Sequence, residues 1–149
     1  MSTSAHSYAQ KARIEKATNA RAMGIDDDLI SNLVESFYGR IQNHDVLGPI
    51  FASKIENWEP HLARMKDFWA SIAIESGRYH GNPMPKHLAI SGLSAEHFDS
   101  WLSLWSDTID HIISNENAAQ LFRERAQRIA NSLQIACGIS NDSFGSLRH

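Results

Sequence analysis

The stretch Tyr79-His80-Gly81-Asn82-Pro83-Met84-Pro85-Lys86-His87-Leu88 decides how the chain reads. Gly81, Pro83 and Pro85, with Gly77 just upstream, prohibit a long helix here, and Pro85 suits the first turn of a very short one bearing His87. Before this break, a long helix is expected from about Glu56 to Glu75, with Leu62, Met65, Phe68, Trp69, Ile72 and Ala73 on one side and Pro60 tolerated in its first turns. His61 stands one turn before Met65, so it tops the apolar stripe and does not share the charged face of Lys66 and Asp67. A histidine on a short element, facing another across a hydrophobic slot, can ligate haem iron.

Working outward, Gly24 marks a boundary, after which Asp26, Asp27 and Asp28 supply a cap and negative charge for a helix to about His44. Its stripe, Ile30, Val34, Phe37, Tyr38 and Ile41, places the Tyr38 hydroxyl on or beside the buried face. Gly48-Pro49 then reads as a turn, with Ile50-Phe51 driven inward as an apolar plug. Downstream, Ser94 is the expected cap of a helix to about Ser114 striped by Phe98, Trp101, Leu102, Trp105, Ile109 and Ile112. A last helix spans about Asn117 to Ile139, with Leu121, Ile129, Leu133 and Ile135 as inward candidates. No segment alternates long enough to read as a strand, and no repeat is present, so the expectation is all-α with four main helices and one long irregular connection.

At 149 residues the chain is the size of one domain, divided here as an extension over 1–24, a core domain over 25–140 and a tail over 141–149. No run of about 18 apolar residues could span a bilayer, and the N-terminus lacks a secretory pattern, so a cytoplasmic protein without membrane association is expected. The net charge of −3 gives no general reason to expect nucleic-acid binding. Its distribution is uneven: Lys11, Arg13, Lys16 and Arg21 against Glu15 make the first 24 residues +3, and the other ten basic and sixteen acidic residues leave −6. The leader reads as an extra helix or frayed tail in preference to a transit peptide. The single Cys137 cannot form an internal disulfide and, beside Ile135, Ala136 and Ile139, reads as a buried inert thiol.

Haem needs a flat apolar slot, one neutral imidazole on the iron, and polar groups near its two propionates. His87 suits the iron, with its second ring nitrogen held by the adjacent loop; alone, it would read as a surface histidine in a proline-rich turn. Tyr38, His61 and the Trp101 indole are hydrogen-bond donors on three different helices, suited to slow the escape of a partly negative dioxygen, with less gain for carbon monoxide. Taken singly, Tyr38 and Trp101 read as core aromatics with satisfied tips, and His61 as a core or exposed histidine.

Jointly, these segments resemble the group III truncated haemoglobins over roughly Leu33 to Ser132. The resemblance is carried by Phe37-Tyr38, Leu47-Gly48-Pro49-Ile50-Phe51, Trp58-Glu59-Pro60-His61, Phe68-Trp69, the proximal stretch, and Phe98 with Trp101-Leu102. Absence of glycine pairs around the second and proximal helices separates the chain from groups I and II. The resemblance implies a two-over-two helical sandwich around haem b (iron protoporphyrin IX), preceded here by an N-terminal extension. It also implies His87 as proximal ligand, Tyr38, His61 and Trp101 as the distal polar set, and Phe51, Phe68 and Trp69 as pocket walls. Arg64 and Lys86 are candidates for the propionates, with Tyr79 and His80 less firmly near the rim; His6, His44, His97, His111 and His149 are expected at the surface.

The expected function is binding of dioxygen, nitric oxide and carbon monoxide with high oxygen affinity. The alternatives are nitric oxide dioxygenase or peroxidase-like chemistry with a separate reductase, and a haem-free helical interaction or sensor domain. A monomer or weak dimer is expected. The chain has no His-Glu-x-x-His or Cys-x-x-Cys, no Glu-x-x-His repeat and no nucleophile elbow, which weakens the non-haem metal and hydrolase classes.

Overall fold

A computed structural model describes residues 4–74 and 93–138. His87, Lys86, Tyr79 and His80 lie outside the described residues, as do Ile139 and His149. Six helices are present among the described residues: α1 (Ser4–Ala22), α2 (Asp27–Gln42), α3 (Leu47–Ala52), α4 (Trp58–Ile74), α5 (Ala95–Ile112) and α6 (Glu116–Ala136). None is long and apolar enough to cross a membrane.

Local chemistry sets most of the helix ends. Gly24, at φ 84°, closes α1: its N–H donates to Arg21 and the next N–H, of Ile25, reaches back to Ala20. Ile25 and Ala20 are both buried there, which anchors the extra N-terminal helix although Tyr8 and Ile14 remain exposed. Asp26 caps α2 by accepting from the Leu29 N–H at 2.8 Å, with Asp27 and Asp28 in the positively polarised first turn. Asn115 caps α6 in the same way through the Ala118 N–H at 2.9 Å.

Gly48-Pro49 is not a turn but part of α3. Proline is tolerated in a first helical turn, and the preceding His44 accepts from the N–H groups of Val46 and Leu47 through Nδ1, at 3.1 and 3.0 Å. A Cβ on Gly48 would lie 2.9 Å from the Gln42 carbonyl oxygen and 3.1 Å from that of Ile41. Only glycine lets α3 press this closely against the end of α2, and that seating carries Phe51 inward.

Two helix pairs, α2 with α4 and α5 with α6, meet through the packing of α2 on α5; α1 rests on α4, and α3 spans from α2 to α5. Trp105 occupies the middle. Its indole stacks on Trp69 (4.7 Å, 20°) and Trp101 (6.3 Å, 3°), meets Phe37 edge-on at 4.8 Å, and donates to the Phe122 carbonyl at 3.1 Å. Polar ties flank each pair: Lys66 bonds Glu35 across α2 and α4, lowering its carboxyl pKa with help from Ser31, while Arg123 pairs with Asp110 and bonds Ser106 across α5 and α6. Such exposed pairs stabilise weakly, so the ring stack and its aliphatic surroundings hold the fold.

Two expectations for α6 are corrected. Ile135 is 67% exposed, because the inward stripe runs Phe122, Ala126, Ala130, Leu133 and Ile135 sits about 200° around the helix from Leu133. Cys137 is half-buried at the C-cap and is not a core thiol, since the helix ends just as it would turn inward.

Candidate functional site

Tyr38 comes from the inner face of α2 and is 5% exposed. It meets His61 edge-on at 4.9 Å and 89°, and Trp58 and Phe51 lie 5.9 and 6.3 Å from it. Burial raises the phenol above its ordinary pKa, so the hydroxyl stays a neutral donor throughout the physiological range. His61 is half-buried one helical turn before the buried Met65, its Nε2 is shielded from solvent, and Trp58 covers it edge-on at 5.8 Å.

Trp101 reaches the same region from α5. Phe37 bridges the two sides, edge-on to Tyr38 at 5.1 Å and to Trp101 at 5.8 Å. Trp101 and Phe51 then form part of an apolar cleft whose other described lining residues are Leu47, Leu93, His97, Phe98 and Leu133, with a cavity volume of about 30 Å³. Phe51 thus belongs both to the cleft and to the Tyr38 cluster.

Other expected site residues fall elsewhere. Trp69 lies two rings behind the Trp101 wall, in the core, stacked on Trp105 and 5.8 Å from Phe122. Phe68 is half-buried and edge-on to Trp69 at 5.5 Å, and Arg64 is exposed on α4. Leu47, Leu93, Phe98 and Leu133 line the cleft in addition to the expected wall residues. Leu47 stands one turn before Phe51, and Phe98 shares the α5 stripe, so helical spacing held a signal for both. His97, expected at the surface, is half-buried and lines the cleft.

Aliphatic and aromatic walls, with the Tyr38 phenol against the His61 imidazole and the Trp101 indole joined to them through Phe37, suit a flat apolar cofactor that carries a small polar ligand. Among the described residues, no group of three or more His, Cys, Asp or Glu is arranged to hold a bare metal ion.

No protein-family model matches the chain. Group 3 truncated hemoglobin ctb of Campylobacter jejuni is 35% identical over 114 residues, spanning 74% of this chain and 89% of the relative. The chain belongs to the group III truncated haemoglobins. The crystal structure of the group III truncated hemoglobin from Campylobacter jejuni superposes with a TM-score of 0.71 at 33% identity, covering 76% of this chain and 91% of that one. Group 2 truncated hemoglobin YjbI of Bacillus subtilis is 33% identical over 99 residues, 63% of this chain and 72% of the relative. The α2/α4 and α5/α6 pairs are accordingly the two layers of this truncated haemoglobin's two-over-two sandwich, with α1 as an N-terminal addition, and membership of a globin family implies a haem cofactor.

Proposed function

We propose that this truncated haemoglobin holds haem b with His87 as proximal ligand and binds dioxygen, nitric oxide and carbon monoxide, with high affinity for dioxygen. Haem supplies an iron centre able to take a diatomic gas. The chain supplies the walls, through Phe51, Phe98, Trp101 and the aliphatic lining residues. The observation that carries the reading is the buried Tyr38, whose ring meets that of His61 edge-on at 4.9 Å. Tyr38, His61 and Trp101 donate hydrogen bonds toward a partly negative ligand and exclude water around it, which slows release. Slow release suits reaction of a held ligand better than bulk transport, such as the combination of dioxygen with nitric oxide to give nitrate, in which dioxygen is the oxidant and a separate reductase would supply one electron per turnover.

The test is the absorption spectrum of the protein supplied with haem, in ferric, reduced and carbon monoxide forms. Wild type should show an intense Soret band that shifts on carbon monoxide binding, and His87→Ala should retain no stable haem. A wild type that takes up none would end the haem reading; a five-coordinate haem retained by His87→Ala would remove the proximal assignment.

A further inference from the structure

We infer that His97 is a haem-anchoring residue, donating from Nε2 to a propionate. The inference rests on the haem reading above and assigns a new contact within that cleft. Two observations carry it. Among the described residues lining the cleft, His97 and Trp101 alone have polar side chains, the other five being leucine or phenylalanine. In addition, the ring nitrogens of His97 are not equivalent.

Nδ1 accepts the backbone N–H of Ser94 at 3.0 Å, while the His97 backbone N–H donates to the Ser94 carbonyl at 3.1 Å. The reciprocal pairing fixes the ring at the start of α5 and commits Nδ1 as an acceptor. The proton of the neutral imidazole is therefore on Nε2, which can act only as a donor. A residue with such a donor, beside a cleft that is otherwise almost wholly apolar, suits a ligand that is apolar over most of its surface and carries a hydrogen-bond acceptor at one edge. The propionates give haem that pattern, and a carboxylate is a strong acceptor.

Helix spacing separates the two polar lining residues by role. His97 precedes Trp101 by one turn on the same face of α5, which sets their backbones about 6 Å apart along the axis. Trp101 is joined to the Tyr38 cluster through Phe37, on the side of the diatomic ligand. His97, displaced toward the helix start, serves the carboxylate edge. Arg64, the other described candidate for a propionate contact, is exposed on α4 and is not among the cleft-lining residues.

The test uses the full chain reconstituted either with iron protoporphyrin IX or with its dimethyl ester, in which both carboxylates are masked. Haem loss is followed by transfer to an excess of an apoglobin acceptor. His97→Phe should lose the acid form about tenfold faster than wild type, the size expected for one charge-assisted hydrogen bond, and lose the ester no more than about threefold faster, because a neutral ester carbonyl is a weaker acceptor than a carboxylate. His97→Gln can accept from Ser94 through its carbonyl and donate through its amide, so it should stay within about threefold of wild type for both forms. Unchanged loss of the acid form from His97→Phe overturns the assignment. Equal acceleration of acid and ester losses also overturns it, since that would leave His97 only a helix cap. Failure of wild type to take up either form overturns the haem reading itself.

Discussion

Replacing Tyr38 with phenylalanine removes one oxygen atom and leaves the packing almost untouched. The ring is held by Phe37 at 5.1 Å, Phe51 at 6.3 Å, Trp58 at 5.9 Å and His61 at 4.9 Å, contacts that a phenylalanine retains. The lost hydroxyl is a donor at every physiological pH, because burial disfavours the phenolate. A hydrogen bond to a partly charged acceptor contributes about 1.5–3 kcal/mol, which converts to oxygen release faster by roughly 10- to 100-fold. Carbon monoxide is a poor acceptor, and its release should change by less than about threefold. Stopped-flow mixing of the oxygen complex with excess carbon monoxide gives the first rate, and displacement of carbon monoxide by nitric oxide gives the second. An unchanged oxygen rate would refute the donor role of Tyr38. Equal acceleration of both gases would refute it too, because it would mean that the substitution opened an escape route by repacking.

Other outcomes follow from the same geometry. The Tyr38 pKa is raised on folding from its ordinary 10.0, so its contribution to stability is complete below about pH 10 and is lost as pH rises, by about 1.4 kcal/mol per unit while only the unfolded chain ionises. Urea melts at alkaline pH should show that extra slope in wild type and not in Tyr38→Phe; parallel curves would contradict it. Gly48→Ala places a methyl 2.9 Å from a backbone oxygen that cannot swing aside, so α3 must shift, at a cost of about 1–3 kcal/mol. Thermal melts should fall by several degrees, and an unaltered midpoint would mean that α3 seats more loosely than these distances require.

Legibility in the sequence followed the range of the interaction. The α2 stripe from Ile30 to Ile41 and the Asp26 cap were readable, because a helical period and a capping carboxylate act within one or two turns. Ser94 likewise marked the start of α5. The short α3 was not readable: glycine followed by proline signals a turn locally, and the close approach to Gln42 that favours this backbone exists only once α2 and α3 meet. The cleft position of His97 is not legible locally, for a related reason. Its cleft combines residues from α3, the approach to α5, α5 itself and α6, and no single stretch contains that juxtaposition. Chemistry and family pattern point to Tyr38, His61 and Phe51, and the fold brings the His61 and Phe51 rings within 6.3 Å of Tyr38. Lys86 and His87 lie outside the described residues, so their assignments rest on sequence and family pattern.

The aromatic stack has an optical consequence. All four tryptophans belong to one connected set of ring contacts, from Trp58 beside Tyr38, through Phe37, to Trp101, Trp105 and Trp69. Indole emission overlaps porphyrin absorption, and Trp101 forms part of the cleft wall, so haem uptake should quench the protein's intrinsic fluorescence almost completely. Fluorescence would then follow cofactor occupancy during reconstitution, and emission that persisted after loading would reveal the fraction of chains still without pigment.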